Sequence, residues 1–232
     1  MLLKLPKVKL LFAIALLFIA SSPLFAFNAG DKIVYPTVGI GISGGNSTAL
    51  YGENLGTLYG NSAYWNNANL ETSFAFSVGA AFDYLITDRI ALTTGLTYNY
   101  FPYQIVLPKK DAIDDAKYRI YFDYLTIPIG VRAYINYFLV GGGLFYAINL
   151  TSDFENQNPY DSSNKGSVKE AKNLFGFFID LGLNYELSET KSLQLYIKFL
   201  QSVTNTDGDN YDILKNIKQR VYTINIAYGV KI

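Results

Sequence analysis

Three carboxylates and one amine stand out among the residues of this chain whose types could do acid–base chemistry. Asp83, Asp180 and Glu186 stand with Lys198 in segments that otherwise hold few charges, in a sequence of which only 16% is charged. Paired carboxylates serve as acid and base in glycosidases, but a lysine among carboxylates more often neutralises them. The sequence has no His and no Cys, so the commonest general base and thiol chemistry are excluded. We therefore expect a structural polar cluster, no catalytic site and no cofactor.

Two other motifs resemble ligand sites. Residues 39–44 (GIGISG) match the dinucleotide pattern G-x-G-x-x-G, which binds a pyrophosphate only when a helix begins directly after it. Here the glycines alternate with isoleucines, and a polar segment follows. Residues 207–212 (DGDNYD) space oxygen ligands as calcium loops do but lack the distant Glu of an EF-hand. We interpret the first as small side chains in a strand and the second as a solvated acidic turn, so no metal is expected.

The elements that must position these residues are strands with a period of two. In residues 222–232, large apolar side chains alternate with small or polar ones without exception. This pattern is typical of a strand with one apolar face and one polar face. It recurs about eight times, around residues 34–43, 73–84, 90–100, 118–131, 138–148, 175–186, 193–200 and 222–232.

The fourth of these segments contains an irregularity. Its apolar set first includes Phe122 and Tyr124. Beside Pro128 it then changes parity to Leu125, Ile127, Ile129 and Val131. Proline cannot donate to a ladder, and an extra residue shifts the side chains to the other face. We expect a bulge near residues 124–128, with Phe122 and Tyr124 in an outward-facing aromatic girdle.

The first 26 residues have the pattern of a cleavable secretory signal. Three lysines precede an apolar run at residues 10–20, and the small residue Ala26 follows. An apolar run of this length is too short to cross a bilayer as a helix. Removing the three lysines leaves 16 basic and 19 acidic residues in the predicted mature chain, residues 27–232. This balance gives no electrostatic basis for binding nucleic acid.

The apolar faces of the strands have no apolar partner elsewhere in the sequence, so they must face lipid, and strands that face lipid must close into a barrel. We predict an all-β fold, a single eight-stranded antiparallel up-and-down transmembrane β-barrel in the outer membrane of a Gram-negative-type bacterium. Eight strands leave an interior just wide enough for side chains. Asp83, Asp180, Glu186 and Lys198 would then form a polar network in the lumen. A soluble, lipocalin-like barrel with the apolar set inside is an alternative.

Long and short connections alternate along the chain, which is typical of outer-membrane barrels with extracellular loops and periplasmic turns. Four long loops are expected, at residues 44–71, 102–117, 151–172 and 202–219. The first and third carry aromatic residues in settings rich in polar residues: Tyr51, Tyr59, Tyr64, Trp65 and Tyr160. Such a composition suits an adaptable binding surface. These side chains would contact a protein partner, or they would pack on each other or on lipopolysaccharide.

The segment YLTIPIGV, residues 124–131, resembles the YLxIPL segment of the PorT-like outer-membrane β-barrel family, a porin-type family. The glycine run at residues 141–143 and the segment FIDLGL at residues 178–183 also fit. The resemblance covers most of residues 30–232. It implies an eight-stranded outer-membrane barrel, often without an assigned activity.

Two functions follow from these observations. The first is a non-enzymatic surface barrel whose loops contact outer-membrane lipid, lipopolysaccharide or a partner protein in a structural, adhesion or envelope role. The second is a narrow porin-type channel or an accessory of an outer-membrane transport or secretion machine, as the name PorT implies for that family.

Overall fold

The computed structural model describes residues 27–46, 69–107, 116–156, 165–167, 171–206 and 218–232. Its ten strands are β1 (Lys32–Asn46), β2 (Asn69–Thr87), β3 (Ile90–Tyr100), β4 (Tyr103–Leu107), β5 (Ala116–Ile135), β6 (Phe138–Asn156), β7 (Lys165–Ser167), β8 (Leu174–Ser188), β9 (Lys191–Ser202) and β10 (Lys218–Lys231). In this part of the chain, no helix has the length and apolar character needed to cross a membrane.

The strands close into one antiparallel barrel. The long strands β1, β2, β3, β5, β6, β8, β9 and β10 pair in this order, and β10 also pairs with β1, which closes the sheet. The short strands are continuations, since β4 follows β3 between β2 and β5, and β7 precedes β8 beside β6. The ten segments therefore form eight barrel strands, and the predicted fold is confirmed.

Exposure alternates along the strands with the apolar side chains outside. In β10, Ile226 is 53% exposed, whereas its neighbours Asn225 and Ala227 are 2% and 1% exposed. Phe74, Phe177 and Leu195 are likewise exposed, while Asp180 is fully buried. A continuous apolar surface of this kind is rare on soluble monomers and fits the lipid-facing band of a transmembrane barrel. The soluble alternative, which needs the reverse orientation, is wrong.

The connections at one end of the barrel are tight turns at residues 88–89, 136–137 and 189–190. Asn136 has a φ of 55°, a conformation that Asn tolerates better than most residues. The Thr87 hydroxyl accepts the N–H groups of Arg89 and Ile90 and so closes the first turn. At the other end, the connections lie mostly outside the described residues. These include Tyr51, Tyr59, Tyr64, Trp65 and Tyr160, and the acidic segment 207–212.

The predicted change of parity in the fourth strand is wrong. In β5, Ile120, Phe122 and Tyr124 are buried in the lumen, and the alternation continues through Thr126 to Arg132. Phe122 and Tyr124 therefore do not belong to an outward-facing girdle. Lumen-facing and lipid-facing aromatic residues are equally apolar, so hydropathy alone cannot separate them.

An irregularity does occur at this level, but the extra residue belongs to β6. Asp123 pairs with Thr151 and Tyr124 pairs with Asn149, so Leu150 is the bulged residue. Pro128 is accommodated without a bulge in β5, because the ladder between β3 and β5 is interrupted between Thr94 and Thr97. At this interruption the Thr94 hydroxyl donates to the Pro128 carbonyl at 2.9 Å.

The barrel wall extends further toward the long connections than the sequence pattern predicts. The segment 102–117, expected as a loop, contains β4 and the start of β5. The segment 151–172, also expected as a loop, contains the end of β6 and β7. Charged residues in these strand ends, such as Asp153 and Glu155, hide the period of two.

Candidate functional site in the lumen

An ion-paired layer crosses the middle of the lumen, and Arg132 is at its centre. The Arg132 guanidinium donates from Nη2 and Nε to Asp180 Oδ2, at 2.8 and 3.3 Å. On its other side, Nη1 lies 3.4 Å from Asp83 Oδ2. All three side chains are at most 1% exposed. A buried charge is tolerated only when it is paired and hydrogen-bonded, and this arrangement meets that requirement.

Lys198 adds a second cation to this layer. Its Nζ lies 3.7 Å from Asp180 Oδ1, an atom that has no hydrogen-bond partner. The same Nζ lies 5.0 Å from the centre of the Phe178 ring, and the Arg132 guanidinium carbon lies 5.3 Å from that of Tyr196. Aromatic faces stabilise cations at such distances. Two cations and two carboxylates thus balance one another in the barrel interior.

Tyrosine and amide side chains extend the polar layer toward the short turns. The Tyr134 hydroxyl donates to Asp83 and accepts from the amide of Gln194 at 3.3 Å. The same Gln194 amide donates to Asn184 at 3.2 Å. Below them, apolar side chains close the lumen, among them Phe27, Ile33, Leu85 and Leu139.

Aromatic side chains fill the lumen on the side of the long connections. The rings of Tyr103 and Phe122 stack with centroids 5.5 Å apart, and those of Phe122 and Tyr124 stack at 5.9 Å. Phe101 packs on Tyr124 at 6.1 Å. Other buried apolar side chains of this aromatic layer are Ile120, Phe145, Leu174, Phe178, Leu200 and Val221.

Glycines in the barrel wall make room for the large lumen side chains. A Cβ on Gly141 would lie 2.8 Å from Arg132 Cγ. A Cβ on Gly182 would collide with Tyr196, and one on Gly229 would collide with Tyr35. Close approach of a neighbouring group is a usual reason for glycine inside a strand. Gly141, the first of the three glycines in β6, therefore makes room for the charged layer.

A small polar cavity remains between the two layers. Hydroxyl and amide side chains line it on the side of β1, β2 and β3, for example Ser77, Thr97 and Asn99, and Arg132 and Lys198 line it from below. The space for water molecules amounts to about 20 Å³, which is enough for one or two of them. No substrate of ordinary size fits there.

The structure brings three of the four predicted lumen residues together. Asp83, Asp180 and Lys198 belong to the ion-paired layer, although Arg132 and not Lys198 is the partner of Asp83. Glu186 lies nearer the short turns, on the lumen-facing parity of β8 and opposite Ser192.

The sequence reasoning missed Arg132. The signal that could have found it was available, since Ile129 and Val131 were expected to face lipid, which places residue 132 on the lumen side.

The arrangement suits closure of the lumen better than catalysis. Asp83 and Asp180 are engaged by cations, and neither lies in a cleft open to solvent. In the described part of the chain, no group of three or more potential ligands is arranged to hold a metal ion.

The family model described as "Outer membrane protein beta-barrel domain" matches residues 36–208. No curated protein matches the chain. Among solved structures, the chain is similar to Ail, the attachment invasion locus protein of Yersinia pestis, with 11% identity and a TM-score of 0.34 over 87% of this chain and 99% of that chain. The outer membrane protein OprG from Pseudomonas aeruginosa gives 15% identity and a TM-score of 0.41, over 88% and 97%. The outer membrane protease OmpT from Escherichia coli gives 9% and 0.40, over 92% and 100%. Similarities at this level carry no argument about function.

Proposed function

Since the chain belongs to the outer membrane protein beta-barrel domain family, we propose that it is a non-enzymatic anchor in the outer membrane of a Gram-negative bacterium. In this proposal, a cleaved signal at residues 1–26 delivers the chain, and the closed barrel holds four long extracellular connections. The finer resemblance to PorT-like proteins stays a prediction. The partners would be outer-membrane lipid, lipopolysaccharide and a protein or surface contacted by the loops.

The closed lumen is the observation that carries this proposal. The ion-paired layer around Arg132 and the aromatic layer around Phe122 follow one another along the barrel axis, and the cavity between them holds about 20 Å³ for water. An eight-stranded barrel has an interior just wide enough for side chains to fill. A barrel blocked in this way supports anchoring and presentation better than conduction.

Single-channel recording in planar bilayers separates the anchor from a narrow channel. The complete mature chain, residues 27–232, is expected to give no conductance above that of the protein-free bilayer after reconstitution. Discrete open events in the unmodified protein would overturn the anchor proposal and favour the porin-type alternative.

Loop replacement tests the presenting role. Residues 47–68 hold Tyr51, Tyr59, Tyr64 and Trp65, and their replacement by a short Gly/Ser linker is expected to abolish cross-linking to the main envelope partner in intact cells. Replacement of residues 108–115, which hold no aromatic residue, is the matched control and should leave that partner in place. If the cross-linked set is unchanged in both variants, the loops are not the contact surface. Cross-linking to components of a secretion machine would instead favour the accessory role.

A further inference from the structure

The outer surface of the barrel carries two cations where β10 begins. Exposed Lys218 and partly exposed Arg220 alternate with buried Gln219. Both cations therefore point away from the lumen, on the same face as the lipid-facing Tyr222. Arg220 lies opposite Gln201 in β9, and its Nε donates to Gln201 Oε1 at 2.9 Å. We call Lys218, Arg220 and Gln201 the basic sector.

The basic sector lies at the level of a lipid headgroup. Tyr222 follows Arg220 by two residues, about 7 Å along a strand, and is 43% exposed. Its ring lies 4.9 Å from that of Phe199, which in turn lies 5.9 Å from that of Phe177. Outward-facing aromatic side chains at strand ends mark the boundary between hydrocarbon and headgroups. The two cations begin where this aromatic surface ends.

The same rim is acidic on β5 and β6. Around the barrel, β8 and β9 lie between these two strands and β10 on one side, and β1, β2 and β3 lie between them on the other side. There the Asp123 carboxylate accepts hydrogen bonds from Tyr98 at 2.8 Å and from Thr151 at 2.6 Å. Glu155 accepts one from Tyr121 at 2.7 Å. Arg119 lies opposite Glu155, so the negative charge of this acidic sector is already balanced in part, and its carboxylates accept hydrogen bonds from hydroxyls of the same chain.

We propose that the basic sector binds the phosphorylated headgroup of an outer-leaflet lipid, with the acyl chains lying over Tyr222 and Phe199. The inference rests on the outer-membrane location and refines the lipid contact of the proposed function. A guanidinium and an ammonium together match the charge of a phosphate, and arginine can bind it with two parallel hydrogen bonds. A second copy could offer its acidic sector instead. The intramolecular hydrogen bonds of Asp123 and Glu155 favour the lipid.

Native mass spectrometry of the full mature chain, released from micelles, tests the assignment. The probe is lipid A that carries both phosphates, compared with the same lipid after dephosphorylation. The double variant K218Q/R220Q is expected to bind the phosphorylated probe about 10- to 30-fold more weakly, since each basic residue near an anionic surface contributes roughly one kcal/mol. Wild type should bind the dephosphorylated probe about as weakly. Raising the salt concentration should reduce the difference.

The matched control is K32Q/K191Q, which removes two exposed lysines from the opposite rim and makes the same change in net charge. It should keep the affinity of wild type within about twofold. Equal weakening in both double variants, or unchanged affinity in K218Q/R220Q, would overturn the lipid site. The lipid site would also be overturned if K218Q/R220Q lost self-association in cross-linking but bound the lipid as wild type does. That result would assign the basic sector to contact with a second copy. Mobility of unboiled samples in gels verifies folding. The conductance and loop cross-linking experiments do not depend on Lys218 or Arg220. Failure of the lipid site can therefore be distinguished from failure of the proposed function.

Discussion

The two layers of the lumen close the same barrel by different physical means. The ion-paired layer holds Arg132, Asp83 and Asp180 in contact at almost zero exposure, whereas the aromatic layer is built from stacked rings such as Phe122 and Tyr124. Charges removed from water stabilise only as a complete set, but each apolar ring contributes its own area and packing. Loss of one member of the ion-paired layer should therefore cause a large drop in the free energy of unfolding. In the aromatic layer, the drop should be proportional to the side-chain volume removed.

Replacement of Arg132 by Met gives the sharpest test of this contrast. It leaves Asp83 buried without a cation and Asp180 with only Lys198, 3.7 Å from its Oδ1, and we expect a loss of about 3–5 kcal/mol in the free energy of unfolding. Urea titration in lipid vesicles, followed by gel mobility of unboiled samples, measures the loss.

The triple variant R132M/D83N/D180N is the control for that experiment. It removes Arg132 and both carboxylates and leaves only Lys198, whose side chain is 15% exposed, and we expect it to recover most of the lost stability. If R132M alone is as stable as wild type, the ion-paired layer does not behave as a set.

Replacement of Phe122 by Ala probes the aromatic layer. Removal of a buried ring leaves a cavity and is expected to cost about 3 kcal/mol, with the same value at low and high salt because no charge is involved. F177A, which deletes an outward-facing ring, is the matched control. Lipid tails can fill the space that it leaves, so the cost should be clearly smaller. Equal costs in the two variants would show that the aromatic layer is not tightly packed.

A smaller effect is expected at Lys198, the partly exposed member of the ion-paired layer. Asp180 keeps Arg132 as its main partner when K198Q removes the second cation, so we expect a loss of only about 1–2 kcal/mol. K191Q, at an exposed turn position, should change stability by less than about 0.5 kcal/mol. A loss in K198Q as large as that in R132M would mean that the two cations are equivalent, contrary to their distances from Asp180.

The success of sequence reasoning differs between the same two layers. β8, β9 and β10 alternate without interruption, so their lipid-facing sides and the lumen positions of Asp180 and Lys198 could be predicted from the period of two. The aromatic layer could not, because Phe122 and Tyr124 look like lipid-facing residues until the parity of all of β5 is known. The bulge at Leu150 could not be predicted either, because a register shift depends on the pairing of two strands. Pro128 indicated a bulge in β5, whereas the extra residue is in β6.

The ion pair at the rim with the short turns gives the smallest expected effect and a reference for the buried layer. Asp31 Oδ2 lies 2.7 Å from Lys231 Nζ, and both side chains are partly exposed. Partial burial raises the pKa of Asp31, but a hydrogen bond from the Asn28 N–H and the charge of Lys231 outweigh it, so the pKa is lowered from 3.8.

A carboxyl whose pKa is lower in the folded state stabilises the fold above its unfolded pKa, and this contribution is lost as the pH falls through the folded pKa. We therefore expect K231Q to lose about 0.5 kcal/mol at neutral pH and the difference from wild type to vanish once the pH falls below the lowered pKa of Asp31. Urea titrations across this pH range measure it, with D31N as the second variant that should behave alike. A difference that persists in acid would show that Lys231 acts through packing and not through the Asp31 charge. A partly exposed pair whose loss costs this little, compared with a buried set whose disruption costs several kcal/mol, would attribute the larger cost to burial, because both sites pair a carboxylate with a cation.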